Sequence, residues 1–163
     1  MVTTDPSEEP VELGLTWRGS FTSLEANALH AEAFETRLYD ASEWDWEALT
    51  ARHSLGWVTA RAIVDDTGAG RDDRLVGFVN VLWDGFVHAW IQDVMVARSH
   101  RHRGVGVALV RAAADGARAA GCEWLHVDFD DDLRPFYVDA CGFEPASAAL
   151  LDLTREPSPS EET

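Results

Sequence analysis

The feature that most constrains this chain is a change of hydrophobic period near residue 97. Before it, three apolar runs are typical of strands and lie at 57–64, 75–83 and 87–96. The polar residues from Asp65 to Asp73 and the pair Asp84-Gly85 join these strands as turns. After it, apolar residues recur at helical spacing from Val105 to near Gly121. Three antiparallel strands followed at once by an amphipathic helix predict a sheet with a helix packed on it.

Weaker patterns extend this frame in both directions. Alternation from Val11 to Arg18 predicts a first strand, and Ser23 is a candidate cap for the helix that follows. The remaining predicted elements are a helix at 44–53 separated by Gly56 from the next strand, a strand at 123–129, a short helix through Tyr137, and a last strand at 146–153. The order βααβββαβαβ indicates an α/β (α+β) fold with a mixed sheet.

Length and charge limit the domain organisation and the classes of partner. With 163 residues and 46% hydrophobic content, the chain predicts one domain at 11–153, with disordered tails at 1–10 and 154–163. A formal charge of -16 disfavours nucleic-acid binding, which needs excess positive charge. No apolar run is long enough to cross a bilayer, and the first residues are acidic and polar rather than a basic segment followed by an apolar one. We therefore expect a cytoplasmic protein without a membrane partner.

A basic cluster stands out in this acidic chain, between the end of the third hairpin strand and the start of the long helix. Its members are Arg98, His100, Arg101, His102 and Arg103. The amides of a first helical turn lack intrahelical partners and lie at the positive end of the helix dipole, so they suit a phosphate. Gly104 and Gly106 would let that phosphate approach the backbone. The alternative is a tight turn flanked by solvated basic side chains.

Two common phosphate loops do not fit these residues. A P-loop requires Gly-Lys before Ser or Thr, and the chain contains no lysine. A dinucleotide fingerprint requires a third glycine where Leu109 stands, in an early strand-helix unit. His100 and His102 resemble half of a metal site, but no second pair of ligands is evident, and no metal is expected.

The segment instead resembles the coenzyme A signature of the GCN5-related N-acetyltransferase (GNAT) family. That signature is Gln or Arg, two residues, Gly, one residue, then Gly or Ala, after a hydrophobic strand. Arg101, Gly104 and Gly106 match it, and Val94-Met95-Val96 precede it at the family spacing. The resemblance continues through Pro135-Phe136-Tyr137 and Cys141-Gly142-Phe143, so it runs from about Val11 to Leu153.

The resemblance implies a mostly antiparallel sheet with one splayed parallel strand pair, and acetyl-CoA as cosubstrate. It places pantetheine on the edge of the strand that ends in Val94, Met95 and Val96. It places the pyrophosphate on the segment formed by Arg101, His102, Arg103, Gly104, Val105, Gly106, Val107 and Ala108. The implied activity is acetyl transfer by direct attack of a primary amine on the thioester.

Two catalytic roles follow from that reaction, a proton donor for the thiolate and a proton acceptor for the amine. Tyr137 is the family-like donor, although four residues rather than the usual three separate it from Gly142-Phe143. Either Val138 takes its place or, as we expect, the extra residue is absorbed after the helix ends. Asp93 is the candidate base, although strand alternation directs it away from Val94 and the family often uses a water chain. An asparagine common in the family is replaced by Asp130 or Asp131.

The resemblance places the acceptor beside the first helices, where acidic and aromatic residues alternate. Phe34, Trp46 and Trp90 are the candidate acceptor contacts, and neighbouring carboxylates could attract a cationic amine. The alternative is a core role for the tryptophans and a surface role for the acids. His88 and His126 are secondary candidates as proton carriers. The acceptor is a small-molecule amine or a peptide or protein amine, a homodimer is a further expectation, and the alternative function is a non-catalytic CoA or acyl-CoA sensor.

Overall fold

The computed structural model describes residues 12–63 and 73–154, so most of the predicted turn at 65–73 and most of both predicted tails lie outside the described residues. The strands are β1 (Glu12–Trp17), β2 (Ser54–Ile63), β3 (Leu75–Trp83), β4 (His88–Val96) and β5 (Trp124–His126). The helices are α1 (Ser23–Phe34), α2 (Trp46–His53) and α3 (Val105–Ala119), with 3-10 turns at Arg98–His100 and Asp131–Leu133 and a π-helix at Pro135–Ala140.

The strands form one sheet in the order β1-β2-β3-β4-β5. The first four are antiparallel to their neighbours, and β4 and β5 are parallel. This arrangement confirms the predicted mixed, mostly antiparallel sheet with flanking helices.

The strand predicted at 146–153 is absent, which corrects the end of the predicted order. These residues form no strand, and Leu150, Leu151 and Leu153 are 90%, 83% and 86% exposed. An alternating apolar pattern becomes a strand only where a neighbouring strand pairs with its backbone. Here β5 has only three residues, and its one partner in the described part of the chain is β4.

The N-cap of helix α1 is Thr22 and not the predicted Ser23, which is the first residue of the helix. The Thr22 hydroxyl accepts from the Glu25 amide, and the Glu25 carboxylate accepts from the Thr22 amide, which makes a capping box. The Ser23 hydroxyl instead donates to Asp45 and Glu47 at 3.1 and 3.0 Å. Ser23 therefore joins the starts of α1 and α2 and does not cap its own helix.

The helices cover both faces of the sheet. Leu109 of α3 lies over Gly77 of β3, where a β-carbon would come within 2.9 Å of the leucine side chain. On the other face, Trp46 of α2 packs edge-on against Phe78 of β3 at 5.7 Å. Gly56 lies inside β2 rather than before it, because the strand already begins at Ser54. The core therefore lies in two layers, with β3 buried along nearly its whole length.

Candidate active site

Strands β4 and β5 separate after a short paired stretch. Only three residue pairs join them, from His88 with Trp124 to Trp90 with His126. Strand β4 continues for six more residues to Val96, while β5 ends at His126. The edge of β4 that faces β5 is therefore left without a strand partner in the described residues. An extended ligand with amide groups could pair with that edge as a further strand would.

The N-terminus of α3 opens beside the end of β4. Gly104 is its N-cap with φ 77°, and no side chain caps the first-turn amides. A β-carbon at Gly104 would meet no atom within 4 Å, whereas one at Gly106 would lie 3.1 Å from the Phe136 ring, so the open space is at Gly104. The first turn also carries no acidic residue. Uncapped amides at a positive dipole end suit a pyrophosphate, and glycine provides the left-handed conformation that the turn needs.

The basic residues of the predicted cofactor segment have different environments. The Arg101 guanidinium donates to the carbonyl oxygens of Val96 and Ala33 at 3.2 and 3.0 Å. His102 and Arg103 are exposed, and His102 has φ 60°. Arg101 thus holds the loop to the end of α1 with its side chain, while the backbone beyond it faces the open space.

The apolar residues of that segment and of the end of β4 are buried or half-buried. Met95 and Val105 have buried side chains, whereas Val94, Val96, Gly106, Val107 and Ala108 are half-buried. Arg98 adds a second connection to α1, because its amide donates to Glu32 at 2.6 Å and its guanidinium pairs with Glu35 at 2.9 Å.

Asp93 lies on a β-bulge that overturns the predicted alternation of β4. The register pairs Gln92 with Asn80 and Met95 with Phe78, so one extra residue of β4 lies opposite β3 between these pairs. Gln92 and Met95 therefore share a face of the sheet. Asp93 takes φ 54°, a left-handed conformation that a non-glycine residue adopts only under constraint.

The Asp93 carboxylate is largely buried and accepts no hydrogen bond from a described residue. Burial raises its pKa above the ordinary value for aspartate, and the nearby His30 acts in the opposite direction. His30 of α1 is itself buried, and its Nδ1 lies 3.3 Å from the Thr36 hydroxyl. A carboxylate with a raised pKa beside the splayed strands is suited to accept a proton.

Tyr137 lies in the π-helix, which accommodates the extra residue noted in the sequence. The amide of Cys141 donates to the carbonyl of Phe136, five residues earlier, and the amide of Phe143 reaches Tyr137 itself. The extra residue is therefore absorbed inside the helix, and the prediction that it is absorbed after the helix ends is wrong. The Tyr137 ring packs on Phe129 at 5.1 Å, and burial raises the pKa of its phenol to about 12. The phenol remains protonated at neutral pH and can donate.

The acidic and aromatic residues near α1 and α2 have partners within the protein. Trp46 is fully buried and donates to Asn27 at 2.8 Å, which argues against its predicted contact with an acceptor. Glu43 pairs with Arg37 at 2.8 Å, and this guanidinium holds the pKa of Glu43 at about 2. Asp45 caps α2. Phe34, at the end of α1, is 46% exposed and remains available to a ligand.

Three rings form a cluster where β4 and β5 are still paired. His88 Nδ1 lies 2.8 Å from His126 Nε2, and the Trp90 ring stacks on His126 at 4.8 Å. Trp90 and His126 line the open cleft beside β5. The structure thus joins a predicted acceptor contact to two histidines that the sequence ranked below Asp93 and Tyr137.

Comparison with known proteins agrees with this geometry. The sequence profile of the Acetyltransferase (GNAT) family matches residues 23–143, which is most of the chain. The chain belongs to the GNAT acetyltransferase family. No curated protein sequence matches it significantly. As a GNAT member it is an acetyltransferase, as its signature residues predicted.

Solved GNAT structures share the fold of this chain. An acetyltransferase from Trypanosoma brucei is 23% identical with a TM-score of 0.65, over 87% of this chain and 100% of its own. The aminoglycoside N-acetyltransferase AAC(6')-Iy in complex with CoA is 18% identical with a TM-score of 0.68, over 95% and 100%. Glucosamine-6-phosphate N-acetyltransferase from Arabidopsis thaliana is 16% identical with a TM-score of 0.62, over 87% and 99%.

The sequence did not predict where His30, His88 and His126 lie in this GNAT chain. A single histidine in a helix or strand carries no spacing signal, and only the register of β4 with β5 brings two of these rings together.

Within residues 12–63 and 73–154, no group of three or more His, Cys, Asp or Glu side chains is arranged to hold a metal ion. Over the same residues, no helix is long and apolar enough to span a membrane.

Proposed function

We propose that this GNAT chain is an N-acetyltransferase that moves the acetyl group of acetyl-CoA to a primary amine by direct attack. The observation that carries the proposal is the combination of a splayed β4–β5 pair with an uncapped α3 N-terminus at its open end. The unpaired edge of β4 offers backbone hydrogen-bond partners to the pantetheine arm of acetyl-CoA, and the first-turn amides of α3 offer donors to its pyrophosphate. The CoA complex of a structural neighbour supports the same ligand here.

In this proposal the residues from Arg101 to Ala108 hold the pyrophosphate, and Val94 to Val96 bind pantetheine through their backbone. The open space at Gly104 supports this placement, since a β-carbon there would meet no atom within 4 Å. The Arg101 side chain positions the loop through Val96 and Ala33 rather than by touching phosphate. Bound acetyl-CoA supplies a thioester whose carbonyl carbon an amine can attack.

Tyr137 and Asp93 fill the two proton-transfer roles in the proposal. When the amine attacks, the C–S bond breaks and the neutral Tyr137 phenol donates to the leaving sulfur. Asp93, directly or through water, accepts the proton that the amine loses. Its raised pKa makes the carboxylate a better proton acceptor than an exposed aspartate.

The acceptor lies in this proposal against Phe34 and Trp90, which are the predicted contacts with exposed surface. Small-molecule amines are the first class to test, because two structural neighbours are named for aminoglycoside and glucosamine-6-phosphate acetylation. A peptide or protein amine is the second class. The chain has no lysine, so acetyl-lysine detected in such an assay belongs to the acceptor.

The deciding experiment is calorimetric titration of acetyl-CoA into the wild type and Gly104→Glu, with Gly121→Glu as the matched control. Both glycines have positive φ and open space, at opposite ends of α3, so each variant places a glutamate at a left-handed and uncrowded position. Loss of binding in Gly104→Glu alone supports the site. Equal losses in both variants, or no binding by the wild type, contradict it.

Turnover is then measured with kanamycin, glucosamine 6-phosphate, spermidine and a lysine-containing peptide. Acetylation of any of these amines supports catalysis. Tight acetyl-CoA binding with only background hydrolysis across the panel would favour the alternative function, a non-catalytic CoA sensor.

We also propose a homodimer that acts in the cytoplasm. Strand β5 ends the described sheet with an unpaired outer edge, and Trp124 on it is 60% exposed. The segment 146–153 exposes three leucines and has no partner strand. An edge strand and an apolar segment of this kind suit strand addition between two copies. Light scattering tests the dimer: we expect the mass of two copies for the wild type and of one copy for the double variant Leu150→Ser, Leu151→Ser.

The cytoplasmic location is tested by fractionation of cells that express the tagged protein.

A further inference from the structure

The His88–His126 contact has the geometry of a proton wire. A hydrogen bond joins Nδ1 of His88 to Nε2 of His126 at 2.8 Å, so one ring donates and the other accepts. Each ring keeps a second nitrogen, Nε2 of His88 and Nδ1 of His126, for which the described residues provide no hydrogen-bond partner. Both residues are half-buried. A neutral pair therefore has one outer nitrogen that can accept a proton and one that can release one.

The pair lies where β4 and β5 begin to separate. Trp90 and His126 are the last paired residues, so the unpaired edge of β4 starts immediately beyond them. From Trp90 to Val96 the strand covers roughly 20 Å, at about 3.3 Å per residue. The phosphate loop is at the far end of this edge, and the reacting end of an extended ligand would therefore point toward the two imidazoles.

The pair also lies on the face of the sheet proposed for the acceptor. Trp90 pairs with Leu82 of β3, and Leu82 shares a face with Phe78 because side chains alternate along a strand. Phe78 packs against Trp46 on the α1–α2 side. His88 lies two residues before Trp90 on β4, so the two side chains share a face. The His126 ring stacks on the Trp90 ring, so all three rings lie on the α1–α2 side of the sheet.

We propose that His88 and His126 relay the proton of the acceptor ammonium to solvent. The outer nitrogen of one ring takes the proton from the ammonium or from Asp93 through water, and the amine nitrogen keeps its electron pair for the carbonyl carbon. The shared proton then shifts across the 2.8 Å contact, and the outer nitrogen of the other ring releases a proton to water. One proton enters and one leaves, so the pair is again neutral, but both tautomers are reversed. Before the next turnover the first outer nitrogen loses its proton to water, the shared proton shifts back, and the second outer nitrogen takes a proton from water.

Imidazole suits this task because it gains and loses a proton near neutral pH. The Asp84 carboxylate accepts from the His88 amide, and Asp93 and His30 lie toward α1. The cleft that His126 lines also holds charged or titratable side chains of both signs, namely Arg111, Asp115, Arg118, Asp128, Asp131, Arg134, Cys141 and Glu144.

The inference rests on the proposed acetyl transfer and is tested with variants that keep the hydrogen bond but cannot titrate. In His88→Asn the amide replaces Nδ1, and in His126→Gln it replaces Nε2. His53→Gln, at an exposed position at the end of α2, is the matched control. For each variant, kcat and KM are measured between pH 6 and 10 with the best acceptor of the amine panel, together with the melting temperature and the acetyl-CoA Kd.

We expect kcat at pH 7 to fall about 100-fold in each variant, with acetyl-CoA Kd and His53→Gln unchanged. The double variant should lose no more than the worse single variant, because a relay fails once either ring is lost. The deficit should shrink at high pH, where more of the amine is already neutral.

Three results distinguish the possible failures. If the wild type acetylates an amine and either variant keeps kcat within twofold, the relay is wrong while the proposed function stands. Additive losses in the double variant, constant across pH, would indicate packing and also overturn the relay. A wild type that acetylates none of the amines overturns the proposed function, and the relay with it.

Discussion

The indole ring of Trp17 lies directly against the backbone of Gly116, so that a β-carbon at position 116 would come within 2.4 Å of Trp17 Cε3. Gly56 of β2 approaches the same ring, with a β-carbon there 2.2 Å from Cζ2. Trp17 of β1 is therefore held between one glycine of α3 and one of β2. The Trp17 ring thus limits how closely α3 can approach the sheet at this point.

Gly116→Ala is expected to destabilise the protein although alanine is the better helix former. The gain in helix propensity is about 1 kcal/mol, whereas overpacking a rigid ring costs about 1–3 kcal/mol. The expected net loss is about 1 kcal/mol, which lowers Tm by roughly 2–4 °C in a thermal melt. In a Trp17→Leu background the same substitution should cost less or even stabilise. An equal cost in both backgrounds would contradict the assigned contact.

Arg101→Met is expected to lower Tm and to weaken acetyl-CoA binding only indirectly. The substitution removes the two hydrogen bonds from the guanidinium to Val96 and Ala33, each worth about 1 kcal/mol. Because the guanidinium is not aimed at the phosphate, the salt dependence of the acetyl-CoA Kd should match that of the wild type. Arg52→Met, at an exposed position on α2, is the control. An unchanged Tm with a shallower salt dependence would instead indicate direct phosphate contact.

Tyr137→Phe is expected to lower kcat about 100-fold while the acetyl-CoA Kd stays within twofold, since only the hydroxyl is lost. The matched control is Tyr39→Phe, because Tyr39 is the only other tyrosine in the chain. Burial raises the pKa of Tyr137 to about 12, so the phenol should not ionise below about pH 11. Steady-state kinetics between pH 6 and 10 should therefore show no alkaline loss due to this group. Full activity in Tyr137→Phe would remove it as the donor.

Asp93→Asn is expected to raise Tm at pH 7. The folded protein binds the Asp93 proton more tightly than the unfolded chain does, because burial raises the folded pKa above the ordinary value for aspartate. Ionised Asp93 therefore costs stability above its folded pKa, and asparagine removes that cost while tolerating the positive φ. The difference from the wild type should shrink as pH falls through the folded pKa and vanish below about pH 3.5.

Thermal melts at pH 7, 5 and 3.5 check this dependence, with Asp139→Asn at an exposed position as the control. The same Asp93→Asn variant should lose kcat if Asp93 accepts the proton of the amine. A Tm difference that is absent at pH 7, or that grows toward acid pH, would contradict a raised pKa.

The frame of the fold could be predicted because its signals are local. Strand β3 matches its predicted bounds, and α3 begins at the predicted Val105. The bulge at Asp93 could not be predicted, since one extra residue in an apolar strand leaves the sequence pattern intact. The extra residue after Tyr137 is visible in the spacing, but the spacing does not say whether it lies in the helix or after it, and the structure places it in a π-helix.

The remaining differences arise from choices that only neighbouring residues decide. Thr22 and Ser23 can both cap a helix, and the carboxylates of Asp45 and Glu47 engage Ser23 instead. The segment 146–153 has the pattern of a strand and lacks the partner that would make it one. Trp46 and Phe34 look alike as acceptor contacts in the sequence, and only burial separates them.

The connections from Arg98 and Arg101 to α1 have a thermodynamic consequence. Helix α1 carries Phe34 on the proposed acceptor side, and its last turn is bonded to the loop that precedes the phosphate site. An acceptor that moves α1 must therefore also change the free energy of that loop. Linkage then requires acetyl-CoA to alter the affinity for the acceptor by the same factor as the acceptor alters the affinity for acetyl-CoA. The affinities for two ligands on different sides of the sheet would thus be coupled through Arg98 and Arg101.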